Sequence, residues 1–223
     1  MKPGARPEPA RSRHGACRRS GAAIDFTMME ITHDAFRRDL RLLAEAASAG
    51  DATGFGVRWH LFKTQLLLHH SVEDANLWPV VRAAAADRDG ADRLLDDMER
   101  EHAALEPCLD AVDRALTTQP GHLDHLVEAL HSVLGAHLDH EEHDALPLIQ
   151  EVCTAKDWSR FAGHVRRRQG IRGAAIYVPW VLDCLDQTGR RRVLGAFPAP
   201  VRVLTRLAWE RRYREQTQSP AID

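Results

Sequence analysis

Two matching segments constrain this chain most, because in both of them histidines and glutamates occupy the leucine stripe of a helix. One reads His69-His70-Ser71-Val72-Glu73-Asp74 and then Leu77-Trp78-Pro79. The other reads His137-Leu138-Asp139-His140-Glu141-Glu142 and then Ala145-Leu146-Pro147. In each, a carboxylate follows a histidine by four residues and a proline follows it by ten. A further histidine precedes each copy at nearly the same distance, His33 by 36 residues and His102 by 35. Two copies of a helical hairpin therefore each supply a histidine plus His-x3-Glu.

The apolar residues around these positions recur with helical period in four segments. The first, residues 33–49, aligns His33, Phe36, Leu40, Leu43 and Ala47, with Thr32 as N-cap. The second, 54–86, aligns Phe62, Leu66, His69, Glu73, Leu77 and Val80. The third, 90–117, aligns Leu95, Met98, His102, Leu105 and Leu109. Pro107 is expected to kink or shorten it, since an interior proline costs ~3 kcal/mol. The fourth, 122–150, aligns Leu126, Leu130, Val133, His137, Glu141 and Leu148. Strand alternation is nearly absent, and the connections are short and rich in Gly, Asp and Pro. The expected fold is all-α, an up-and-down four-helix bundle.

Charge divides the chain. The net charge of −2 conceals six Lys/Arg against two Asp/Glu in residues 1–28, ten against twenty-four in 29–152, and fourteen against six in 153–223. The first zone, rich in Arg, Pro and Gly, reads as disordered, with Met28 or Met29 as an alternative start. The second is the bundle. The third reads as a basic helical C-terminal extension, with apolar stretches at Ile171–Leu185 and Val193–Tyr213 between arginine clusters. It is expected to pack on the acidic bundle; nucleic acid, a membrane surface or a partner protein are the alternatives, and it carries no clear nucleic-acid motif. No apolar run reaches the ~20 residues of a membrane span, and no signal-peptide core follows the basic start. The four cysteines form no CxxC pair, which argues against a disulfide framework or thiolate zinc site and favours a cytoplasmic location.

Positions i and i+4 share a helix face, so His69/Glu73 and His137/Glu141 can each aim an imidazole and a carboxylate at one point. Such groups are expensive inside a bundle unless paired or metal-bound. The candidate ligands are His33, His69, Glu73, His102, His137 and Glu141, four imidazoles and two carboxylates, suited to two ions with the glutamates between them. Mixed N/O ligation with open positions suits non-haem iron better than structural zinc, with manganese as the alternative. His70/Asp74 is a second i, i+4 pair that could serve instead of His69/Glu73. Glu142 could replace Glu141, and His140/Asp144 reads as a decoy. His122, His125, His131 and His143 are assigned to solvent or to the periphery, Trp59 and Trp78 to the core, and Cys108 to a small buried filler.

This pattern over residues 29–152 resembles the hemerythrin-like (HHE cation-binding) domain. The resemblance implies a four-helix bundle with a bridged di-iron centre that binds dioxygen or nitric oxide, or senses oxygen, redox state or iron. Oxygen-carrying members have a fifth histidine four residues after the third-helix ligand, where this chain has Glu106. Glu106 is therefore a possible further acidic ligand, favouring the ferric state and redox chemistry or sensing. Two other functions stay open. One is an enzyme that removes nitric oxide or peroxide with an unknown electron donor. The other is an interaction module with a structural metal.

Overall fold

The computed structural model describes residues 23–118, 120–183 and 185–217, and the first zone's expected disorder lies almost wholly outside them. Among the described residues the chain is all-α. Helices α1 (Thr27–Ala49) and α2 (Ala52–Asn76) form one antiparallel hairpin; α4 (Ala91–Thr118) and α5 (Leu123–His140) form the other. Two short helices, α3 (Trp78–Ala84) and α6 (Leu146–Val152), follow α2 and α5, and the chain continues through α7 (Ala155–Leu182), α8 (Gln187–Gly195), α9 (Ala199–Leu204) and α10 (Glu210–Thr217).

Local chemistry explains the boundaries. Gly50, at φ 70°, ends α1 in the left-handed conformation and gives its N–H to the Ala46 and Ala47 carbonyls. Asp51 then caps α2 by accepting from the Gly54 N–H at 2.9 Å. The two prolines of the repeat have one role: Pro79 and Pro147 each sit in the first turn of a short helix, where a missing N–H is harmless. The second predicted segment is thus divided at Leu77, and the fourth passes through a π-helical turn, Glu141–Ala145, before α6.

One expectation is corrected here and another narrowed. Thr32 is no N-cap: α1 starts five residues earlier, and the buried Thr32 hydroxyl donates to the Met28 carbonyl at 2.7 Å. Nor does Pro107 shorten α4, which runs through it. Pro107 lies on the exposed face, so the carbonyl it leaves unpaired meets water, while Leu105 and Leu109 are buried on the opposite side.

The apolar interior is split in two. One cluster includes Phe36, Leu40, Phe62, Leu66, Leu105, Leu109 and Leu138, and the other Met29, Leu77, Trp78, Leu95, Met98, Ala145 and Ile149. Along every bundle helix the histidines and glutamates fall between the two, as a polar layer closed above and below. The C-terminal extension continues the first cluster: Val178, Trp180, Val181 and Leu182 are fully buried against it. Trp180 donates its indole N–H to the buried Asp39 at 2.7 Å, and Arg38 donates to the Trp180 carbonyl at 2.8 Å.

Candidate metal centre

Helix α1 contributes His33 to the layer; α2 contributes His69, His70 and Glu73; α4 contributes His102; and α5 with its π-turn contributes His137 and Glu141. They form two groups, His33/His69/Glu141 and His70/His102/His137, and within each the donor atoms lie within 4.8 Å of one another. His33 Nε2 is 3.2 Å from His69 Nε2 and 3.3 Å from Glu141 Oε2. His102 Nε2 is 3.1 Å from His137 Nε2. Glu73 spans the groups, with Oε1 3.1 Å from His69 Nε2 and Oε2 3.8 Å from His102 Nε2. Glu141 lies between His33 and His137, its Oε2 4.0 Å from His137 Nε2. Both carboxylates are fully buried, and none of their four oxygens has a hydrogen-bond partner; neither does His70 Nε2.

The outward nitrogens of three rings meet carboxylates: His33 Nδ1 lies 2.8 Å from Glu142, His102 Nδ1 2.7 Å from Asp74, and His137 Nδ1 2.9 Å from Glu101. A carboxylate only accepts, so each of these rings donates through Nδ1, which in the neutral ring leaves the Nε2 lone pair turned inward. The His102 and His137 lone pairs therefore face each other at 3.1 Å without a hydrogen between them. Arg37 holds Glu142 in place at 2.8 Å, and Glu101 also accepts from His140 Nδ1 at 2.8 Å.

The electrostatics of the metal-free layer are correspondingly uneven. Burial opposes charge on Glu141, but His33, His69 and His137 outweigh it and draw its pKa down to about 2. Burial, with Glu141 and Asp74 nearby, pushes Glu73 well above the carboxylate range. Burial, reinforced by neighbouring histidines, drives His69 and His70 well below the usual imidazole value. Once His33 and Glu73 give up their protons, as ligands must, the converging lone pairs and carboxylates require a positive charge among them. The donor spacings of 3.1–3.3 Å are close to the ~3 Å separating adjacent ligands around one ion with bonds of about 2.1 Å. The residues fit a metal.

Sequence reasoning placed His33, His69, Glu73, His102, His137 and Glu141, and all six lie in this layer. It treated His70 as an alternative to His69, whereas both rings point inward. His70 stacks on His102 with centroids 3.9 Å apart and planes within 10°. Asp74 and Glu142 lie behind histidines rather than between them. Glu106, read as a possible ligand, is exposed on the outer face of α4, and the fifth imidazole comes from α2. His140 pairs with Asp144 at 3.5 Å on the half-exposed side, outside both groups. Cys108 is only half-buried. The roles of Glu101, Asp74 and Glu142 were missed; the available signal was an acidic residue adjoining Glu73, His102 and Glu141 in sequence.

Residues 25–149 match the family described as hemerythrin HHE cation binding domain. The chain belongs to that family. The match covers more than half of the chain and all seven residues of the layer, and it stops short of α7 to α10. The HHE domain is a cation-binding module, and the His/Glu groups supply the means in this chain. Comparisons with curated proteins and with solved structures return no significant match. No helix among the described residues is long and apolar enough to cross a membrane.

Proposed function

We propose that this chain is a non-haem di-iron protein that binds or senses a small ligand: dioxygen, nitric oxide or peroxide. The observation that carries the reading is the His102–His137 contact, two Nε2 atoms 3.1 Å apart with carboxylates behind both rings, beside four buried carboxylate oxygens that have no hydrogen-bond partner among the described residues. His33 and His69 would hold one ion and His70, His102 and His137 the other, with Glu73 and Glu141 shared.

The donor set is five imidazoles and two carboxylates with no thiolate, which suits iron better than structural zinc. Even with every carboxylate oxygen engaged, that is nine donor atoms, fewer than two six-coordinate ions take. Bound iron would supply one-electron redox chemistry and open positions for a small ligand. The protein's own work is to orient the rings through Asp74, Glu101 and Glu142, and to keep water away with apolar clusters on either side.

The test is anaerobic mixing of the ferrous protein with dioxygen, nitric oxide and hydrogen peroxide in turn, followed by visible absorption. A ligand-dependent spectrum with at least one of them supports the reading. An iron-loaded protein that responds to none contradicts it.

A further inference from the structure

One opening reaches the His/Glu layer from outside, and the C-terminal extension builds it. A cavity of about 210 Å³ has His69 in its wall. Of the residues in the two His/Glu groups, His69 alone is half-buried rather than buried. α1 supplies Met28, Met29 and Thr32; the first half of α7 supplies Phe161, Ala162 and Val165; the second half supplies Tyr177; and the turn after α8 supplies Phe197. Most of these walls lie beyond the residues that match the HHE family.

The extension reaches around the cavity because α7 breaks at Gly170, whose φ of 59° and ψ of −174° belong to a region open essentially to glycine. The inner wall offers little to a polar ligand. Thr32 gives its hydroxyl hydrogen to the Met28 carbonyl, so the Tyr177 hydroxyl, 2.7 Å away, donates to Thr32. The mouth differs. Asp25 is engaged by the Thr27 N–H at 3.0 Å and lies 3.8 Å from Arg192. Arg166 is exposed at the rim and makes no ion pair among the described residues. The volume exceeds the roughly 150 Å³ in which an apolar cavity accepts benzene.

We propose that this cavity binds a small organic acid with an apolar body, such as a medium-chain carboxylate. Its apolar end lies toward His69 and its carboxylate meets Arg166. Binding itself requires no metal; the ligand's position beside a metal centre rests on the function proposed above.

The experiment is calorimetric titration of the full-length, iron-loaded protein with decanoate, decanol and decyltrimethylammonium, with metal content measured on the same samples. Decanoate is expected to bind with a negative heat-capacity change and a few-fold more tightly than decanol, the rim charge being exposed, with the cation weakest. Ala162→Trp fills the cavity and abolishes binding. Ala196→Leu, on the exposed part of the wall, weakens it and guards against a folding defect in the first variant. Arg166→Ala removes the preference for decanoate over decanol. Saturating decanoate also shifts the iron absorption, since His69 borders the cavity. Decanoate binding that survives loss of iron in Glu141→Ala supports the cavity assignment and counts against nothing in it. Absence of decanoate binding to protein with its normal metal content overturns the proposal, as does unchanged affinity in both wall-filling variants.

Discussion

Asp74 on α2 accepts from His102 Nδ1 on α4 at 2.7 Å, so one helix fixes the ring orientation of the next. Asp74 is itself 43% exposed, and its removal takes nothing from the core. Asp74→Ala is therefore expected to weaken metal binding about 10- to 100-fold while leaving the melting temperature of the metal-free protein nearly unchanged. Competition against a chelator of known affinity measures the first effect and thermal unfolding the second.

The entry of both His69 and His70 into the layer separates this centre from one with a fifth histidine on α4. His70→Ala is expected to lower bound iron by about half, because only one of the two groups loses a donor. Glu106→Ala, on the exposed face of α4, is expected to change nothing. Metal analysis of the two variants side by side checks both expectations.

Metal uptake is expected to release protons at neutral pH. In the metal-free chain burial disfavours charge on His33, but Glu141 and Glu142 outweigh it and raise its pKa to about 9. Glu73 is likewise held well above the carboxylate range. Both groups must lose a proton to act as ligands, so raising the pH towards the His33 value of about 9 removes the competitor and strengthens metal binding. Ferrous iron added to metal-free protein in weak buffer should acidify it, as read by an indicator dye.

Trp180 joins the extension to the bundle. Trp180→Ala deletes a fully buried indole and is expected to cost about 3–5 kcal/mol. Asp39→Ala takes a buried carboxylate away from Arg38 and from the indole N–H, for a similar loss. Urea unfolding should show one transition moving to lower denaturant. A separate appendage would instead lose structure while the bundle transition stayed in place.

The four helices and their polar layer were legible because His33, Glu73, His102 and Glu141 fall on stripes otherwise made of apolar residues. That placement has no solvated explanation. His70 was not legible because it lies 100° from His69 around α2, which would turn it outward on a helix buried on one side only. His70 faces His102 and His137 on α4 and α5, and it is the His69 side of α2 that α7 covers; periodicity within α2 carries no record of either neighbour. The extension's helical character was readable, but its path was not. That path depends on the break at Gly170 and on Trp180 reaching a buried Asp39, a partner far away in sequence. The outer carboxylates escaped for a similar reason: Asp74 serves His102 and Glu101 serves His137, each across a helix boundary.

The most direct measurement is the iron content of the purified full-length protein beside that of a Glu73→Ala/Glu141→Ala variant. About two irons per chain in the parent, falling to near zero in a variant that keeps its helical circular dichroism, is the predicted result. A parent that holds one ion or none after anaerobic loading, or a variant that keeps both, would contradict a centre built on those two carboxylates.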